Sequence, residues 1–160
     1  MGLTGNYIAV EEKELKKIKK GKADLFALTG EDGRLACDID KAWDMLNITL
    51  TGEHFDGDPP AGYVVPMIRE RLIDGYADEF NAYLLSAQQV KEAAAYLAEL
   101  TEEKFRSLYD HDELVDNEVY GMVDGGAEFE FGYITEYLAV LKDFYKKAAG
   151  ANKAVVFWVC

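Results

Sequence analysis

Two cysteines in 160 residues, Cys37 and Cys160, are too few for a disulfide framework, and three prolines leave no Pro-rich linker. Both thiols are expected to be free in a reducing compartment. No apolar run approaches the roughly 20 residues that span a bilayer. The opening MGLTGNYIAVEEKELKK lacks a basic segment followed by an apolar stretch, so no secretory signal is read there and the expected location is cytoplasmic. Basic residues are scarce as well: 17 Lys and Arg stand against 30 Asp and Glu, a formal charge of −13. Such a field repels phosphate backbones and anionic lipid, which argues against nucleic acid and membrane as partners; a basic protein partner fits it better, although solubility alone accounts for such a charge more often. The chain contains no Gly-x-Ser-x-Gly elbow, P-loop, dinucleotide fingerprint or His-Glu-x-x-His zinc pattern. No cofactor and no metal is therefore expected, and no catalytic residue is assigned.

What the chain does have is apolar material: 49% hydrophobic residues, with ten Tyr and eight Phe, enough for a self-sufficient core. Without a linker or internal repeat, residues 1–160 read as a single domain. Apolar residues recur at helical spacing from about Tyr133 to Ala148, with Gly150 beyond as a stop. Ser86 and Gln89 form a capping box ahead of Val90, Ala93 and Leu97. Thr101 starts a shorter helix, and another follows Asp38 or Asp40, carrying Ile39, Trp43, Leu46 and Leu50 inward and ending at Gly52.

The C-terminal run AVVFWVC is rich in β-branched and aromatic residues and reads as a central strand covered on both faces. Asn6–Val10 and Ala82–Leu85 are its expected companions. Pro66 consigns the segment 63–68 to an edge or to no sheet. Thr51–Tyr63 reads as a loop, of a length that in compact domains is functional or disordered, and Asp110–Gly126 as an irregular acidic region. The crowded Lys13, Lys16, Lys17, Lys19, Lys20 and Lys22 read as the wet face of a first helix. These elements make an α+β fold: a small mixed sheet with a buried C-terminal strand packed against several amphipathic helices.

Chemistry, if the sequence marks any, belongs near the segment Asp38-Ile39-Asp40-Lys41-Ala42-Trp43-Asp44. On a helix starting at Asp40, the carboxylates of Asp40 and Asp44 lie one turn apart on one face, a spacing suited to a divalent cation or a shared proton. Capping by one Asp and dipole compensation by another, with Trp43 in the core, explains the same residues without a ligand. Two clusters hold the only histidines, His54 with Asp56 and Asp58, and His111 with Asp110, Asp112 and Glu113. Neither has a spacing that specifies zinc. The candidate binding residues are Asp38, Asp40, Trp43, Asp44, Thr51, His54, Glu118 and Tyr120.

The opening MGLTGNYIAV, the stretch CDIDKAWDMLNITLTG, AYLLSAQQV, the triplet Glu118-Val119-Tyr120 and the last helix leading into AVVFWV resemble the bacterial YfbM-like proteins of unknown function. Their recurring Asp-Ile-Asp-Lys-x-Trp-Asp helix ending in Leu-Thr-Gly falls here on Asp38, Ile39, Asp40, Lys41, Trp43, Asp44, Leu50, Thr51 and Gly52. The chain departs from many relatives at Cys37, where they have Leu, and at Asn47, where they have His. The resemblance implies a compact cytoplasmic α+β domain and no particular activity. Two functions are expected to compete. One is a non-catalytic binding or interaction module, of an immunity type that masks a basic effector. The other is a small enzyme or metabolite- or metal-binding domain, with Asp38, Asp40 and Asp44 gathered near Tyr7 or Glu118.

Overall fold

Four strands form one sheet in the computed structural model, which describes residues 2–123 and 125–160. They are β1 (Gly5–Val10), β2 (Ala36–Asp38), β3 (Asn81–Leu85) and β4 (Ala154–Val159), in the spatial order β2-β1-β4-β3. Each pairing is antiparallel, so the sheet is of one kind rather than mixed. The C-terminal run occupies the interior as expected: Ala154 to Trp158 are buried, and β1 and β3 pair on either side. The segment 63–68 joins no strand. The short edge strand β2 carries too little alternation to be read in advance.

Because side chains alternate across a strand, β1 and β4 feed two cores. Tyr7, Ala9, Val155 and Phe157 face one side, and Ile8, Val10, Val156 and Trp158 the other. Against the second face lie α1 (Glu12–Lys19) and α2 (Leu25–Thr29), through Ile18 and Leu25. Helix α1 keeps its lysines in solvent and has its own capping box, Glu11 with Glu14. The larger core, on the first face, is closed by α3 (Trp43–Thr51), α4 (Ala87–Glu99), α5 (Glu102–Leu108), α6 (His111–Asp116) and α7 (Ala127–Gly150).

The capping signals at Ser86 and Thr101 hold: Ser86 Oγ accepts from the Gln89 amide at 3.2 Å, and Thr101 Oγ1 from that of Lys104 at 3.1 Å. The last helix begins six residues before Tyr133, adding Phe131 to the buried face. The region 110–126 is not wholly irregular, since α6 lies within it. Asp110 caps that helix, accepting from the Glu113 amide at 3.1 Å. The Asp-x-x-Glu pattern was a usable signal for it.

Helix α3 differs from the others in being buried on all sides, every residue from Trp43 to Leu50 included. It is preceded by a 3-10 turn, Asp40–Ala42, and stops at Gly52 in the left-handed conformation, φ 76°. Gly5 makes room for its start, because a Cβ there would press on Ile39, Trp43 and Phe157. A helix with no solvent face must satisfy its polar side chains inside the protein. That requirement shapes the site.

Candidate functional site

Asp44 is the most constrained of the candidate residues. Its side chain is almost fully buried, and its two oxygens serve different segments. Oδ1 lies 3.0 Å from His54 Nδ1, and Oδ2 accepts the backbone N–H of Tyr120 at 2.9 Å. A carboxylate only accepts, so Nδ1 donates to it and Nε2 takes no part in that contact. Asp44 thus ties the loop after α3 to the loop after α6.

Neighbouring polar groups of α3 secure the same loop. Asn47 Nδ2 donates to the carbonyls of Glu53 and His54, at 3.0 and 2.9 Å. Thr51 Oγ1 donates to the Asn47 carbonyl at 2.7 Å and accepts the Glu53 amide at 3.1 Å. Sequence reasoning passed over Asn47, although a polar residue amid the apolar positions of a helix was a signal for such a buried anchor.

The other carboxylates go elsewhere. Asp38 is exposed and accepts the Asp40 amide at 2.9 Å, a local turn. Asp40 sits at φ 46°, and its Oδ2 accepts the Tyr133 hydroxyl at 2.9 Å; burial first, and then this bond, push the Tyr133 phenol upward. The left-handed backbone at Asp40 and the 3-10 turn break the continuous helix that would have put Asp40 and Asp44 on one face. The three acids form no shared cluster, and among the described residues no group of three or more His, Cys, Asp or Glu is arranged to hold a metal ion. Nor is Tyr7 near them. Its hydroxyl is buried and donates to the Val64 carbonyl at 2.9 Å, and burial raises its pKa well above the ordinary value.

Trp43 and Tyr120 stack, 5.3 Å between centroids and 25° between planes. Both reach the N-terminal segment: Trp43 Nε1 donates to the Leu3 carbonyl at 3.2 Å, and the Leu3 amide donates to the Tyr120 hydroxyl at 2.5 Å. Gly121 follows at φ 88°, and a Cβ on it would collide with the Lys41 carbonyl. Glycine is needed there on both counts.

Two cavities flank this wall. Thr51 and His54 line a cleft of about 550 Å³ together with Glu53, Asp56, Asp58 and Arg69. Arg69 is held by Asp56, at 2.6 Å from its guanidinium and 2.8 Å from its amide, and lies over the Phe55 ring. Glu118 lines a second cavity, of about 410 Å³, with His111, Val115, Val119, Met122 and Val123. The eight candidates therefore divide: Thr51 and His54 on one cavity, Glu118 on the other, Trp43, Asp44 and Tyr120 between them, Asp38 and Asp40 in local contacts. Arg69 and the apolar lining of the second cavity carried no motif that would have singled them out.

A nucleophile is not evident in either place. Cys37 lies in β2, not in either cavity, and burial with the adjacent Asp38 charge pushes its thiol up to about 12, so it is protonated at neutral pH. Among the described residues His54 has no serine, threonine or cysteine hydrogen-bonded to its ring, whose partner is Asp44.

Comparison with known structures shows the same fold in "a Protein of Unknown Function YfbM from Escherichia coli". The TM-score is 0.75 over 98% of this chain and 99% of that one, at 19% sequence identity. Comparison with curated proteins finds no match. A family model described as a domain of unknown function, DUF1877, matches residues 1–158, and the chain belongs to that family.

Proposed function

We propose that this chain is a non-catalytic binding module whose partner is a cationic protein, of the kind an immunity-type protein masks. The observation that carries the reading is the distribution of charge. From Ser107 to Leu141 the sequence has nine Asp and Glu and no Lys or Arg, so most of the −13 resides in one continuous stretch of the chain, running from the end of α5 through α6 into α7. A surface field of one sign steers an oppositely charged partner and speeds encounter. The separate engagements of Asp38, Asp40 and Asp44 support the same reading, because those three acids do not come together as one catalytic cluster. The test is affinity capture from the native cell at low and at physiological salt, with identification of what is bound. A recovered basic protein whose complex reforms from purified components supports the proposal. Recovery of no basic protein even at low salt sinks it.

One observation favours a second reading, a small polar ligand in the cleft at His54. The imidazole is oriented by a buried carboxylate and is 42% exposed, so Nε2 is available to a bound molecule. A thermal-shift screen against divalent ions, nucleotides and common metabolites tests it, since a ligand that prefers the native state raises the midpoint. A hit that disappears in His54→Gln supports this reading, and a flat screen removes its basis.

A further inference from the structure

Three of the seven large hydrophobic side chains exposed among the described residues, Val115, Val123 and Phe129, fall within the acidic stretch. They are grouped in space as well as in sequence. Val115 and Val123 line the 410 Å³ cavity between α6 and the start of α7, with Val119 and Met122 deeper in its wall. Phe129 lies against Gly125, beside Gly126 of the cavity rim. Exposed apolar side chains gathered around a concavity mark binding surfaces, whereas singly scattered ones do not.

Glu118 lines the cavity, and Asp112, Glu113 and Asp116 are exposed on α6 next in sequence to, or one residue removed from, the lining residues His111 and Val115. Behind the wall Glu130 is fully buried: Oε1 accepts the Val123 amide at 2.8 Å, and Oε2 has no partner among the described residues. Arg106 of α5 is paired with Glu128 at 3.0 Å. His111 is the sole basic side chain in the lining.

From this arrangement we infer that the α6–α7 cavity is the docking site for the cationic partner, and that it takes an amphipathic segment bearing Lys or Arg. An apolar side chain of that segment enters between Val115, Val119 and Met122, and its basic side chains meet Asp116 and Glu118 on the rim. The inference rests on the binding-module reading and adds to it the place and the shape of the recognised segment. Charge complementarity selects this occupant. A second copy of the same face would bring acid against acid. The lysine-rich α1 of another copy has no exposed apolar residue to fill the cavity, since Ile18 is buried in its own core.

The experiment measures fluorescence anisotropy of a labelled 14-residue Leu/Lys peptide with helical periodicity, beside a scrambled peptide of the same composition, on the full chain. The amphipathic peptide is expected to bind at least tenfold more tightly than the scrambled one and to weaken with salt. Val115→Glu, which fills the cavity mouth with like charge, and the rim pair Asp116→Lys with Glu118→Lys each lower its affinity tenfold or more. The distal pair Asp32→Lys with Asp78→Lys, equal in charge change, alters it less than twofold. Circular dichroism and the melting midpoint establish that each variant is folded, and all four rim and distal positions are exposed. Equal binding of the two peptides, or equal weakening by rim and distal pairs, overturns the docking site while leaving a cationic partner in place. No binding of either peptide at low salt overturns both. Self-association that Val115→Glu abolishes assigns the cavity to a second copy and overturns the inference.

Discussion

Asp44 sits at a position where an ionised side chain is costly unless both oxygens are engaged, and here they are. Its value is structural before it is chemical. Replacing it with Ala strands the part-buried Tyr120 amide and frees His54, so Asp44→Ala is expected to cost about 1.5–3 kcal/mol of unfolding free energy, the range for hydrogen bonds to a charged group. Asp44→Asn retains an acceptor for the amide and should cost roughly half as much, and His54→Gln less again because that ring is partly in solvent. Urea denaturation of the three variants checks the order. An order in which His54→Gln is the most damaging would show that the imidazole, not the amide, is what Asp44 supports.

Among the elements, α1 depends most on charge. Its Glu14 makes a two-pronged pair with Arg34, both contacts at 2.8 Å, and Arg34 also donates to the Ala9 carbonyl of β1 at 3.1 Å. The pair therefore fastens α1 to the sheet. Hydrogen bonding from Arg34, followed by the Glu11 amide and the Arg34 charge, outweighs desolvation and lowers the Glu14 carboxyl to about 2. The unfolded value is about 4.3. A depressed carboxyl contributes stability that is fully present above the unfolded value and is lost as pH falls toward the folded one. Wild type should accordingly exceed Glu14→Gln in stability at pH 6, with the difference shrinking between about pH 4 and pH 2. Denaturant midpoints of both proteins across that range provide the measurement, and a difference independent of pH would assign the effect to packing instead.

At the scale of the whole molecule, β4 joins the two cores. Phe157 faces the larger one, 4.7 Å between centroids from Tyr7, while Trp158 on the opposite face lies 5.9 Å from Phe26. Damage on one face must be felt on the other, because both are built on the same backbone. Phe157→Ala should cost about 3–5 kcal/mol, the range for emptying a buried aromatic site. Unfolding should stay a single transition, with far-ultraviolet circular dichroism and tryptophan fluorescence tracing the same curve. Separate transitions would mean that the α1–α2 layer and the α3–α7 layer are independent units. No helix among the described residues is long and apolar enough to cross a membrane, and the long α7 packs into the larger core through Ile134, Leu138, Leu141 and Tyr145.

The sequence by itself determined the elements whose signals are local. A Ser86–Gln89 capping box, a Gly52 stop, the helical spacing through Leu138, Leu141 and Tyr145, and the continuous apolar run of β4 each depend on neighbours a few residues away. Their placement followed from periodicity and capping alone. The destinations of the polar side chains did not. Asp40 and Asp44 are spaced for one face, yet the left-handed turn at Asp40 sends one to Tyr133 in α7 and the other to His54 and Tyr120. Those partners are 10 to 93 residues distant along the chain. The cavity beside α6 is lined within one stretch, 111–126, but its shape is set where Leu114 and Val119 of that stretch pack into the larger core. Hydrophobic period and capping are short-range properties of a chain, whereas the partner of a buried carboxylate and the shape of a cavity are properties of the packed whole, and only the tertiary structure decides them.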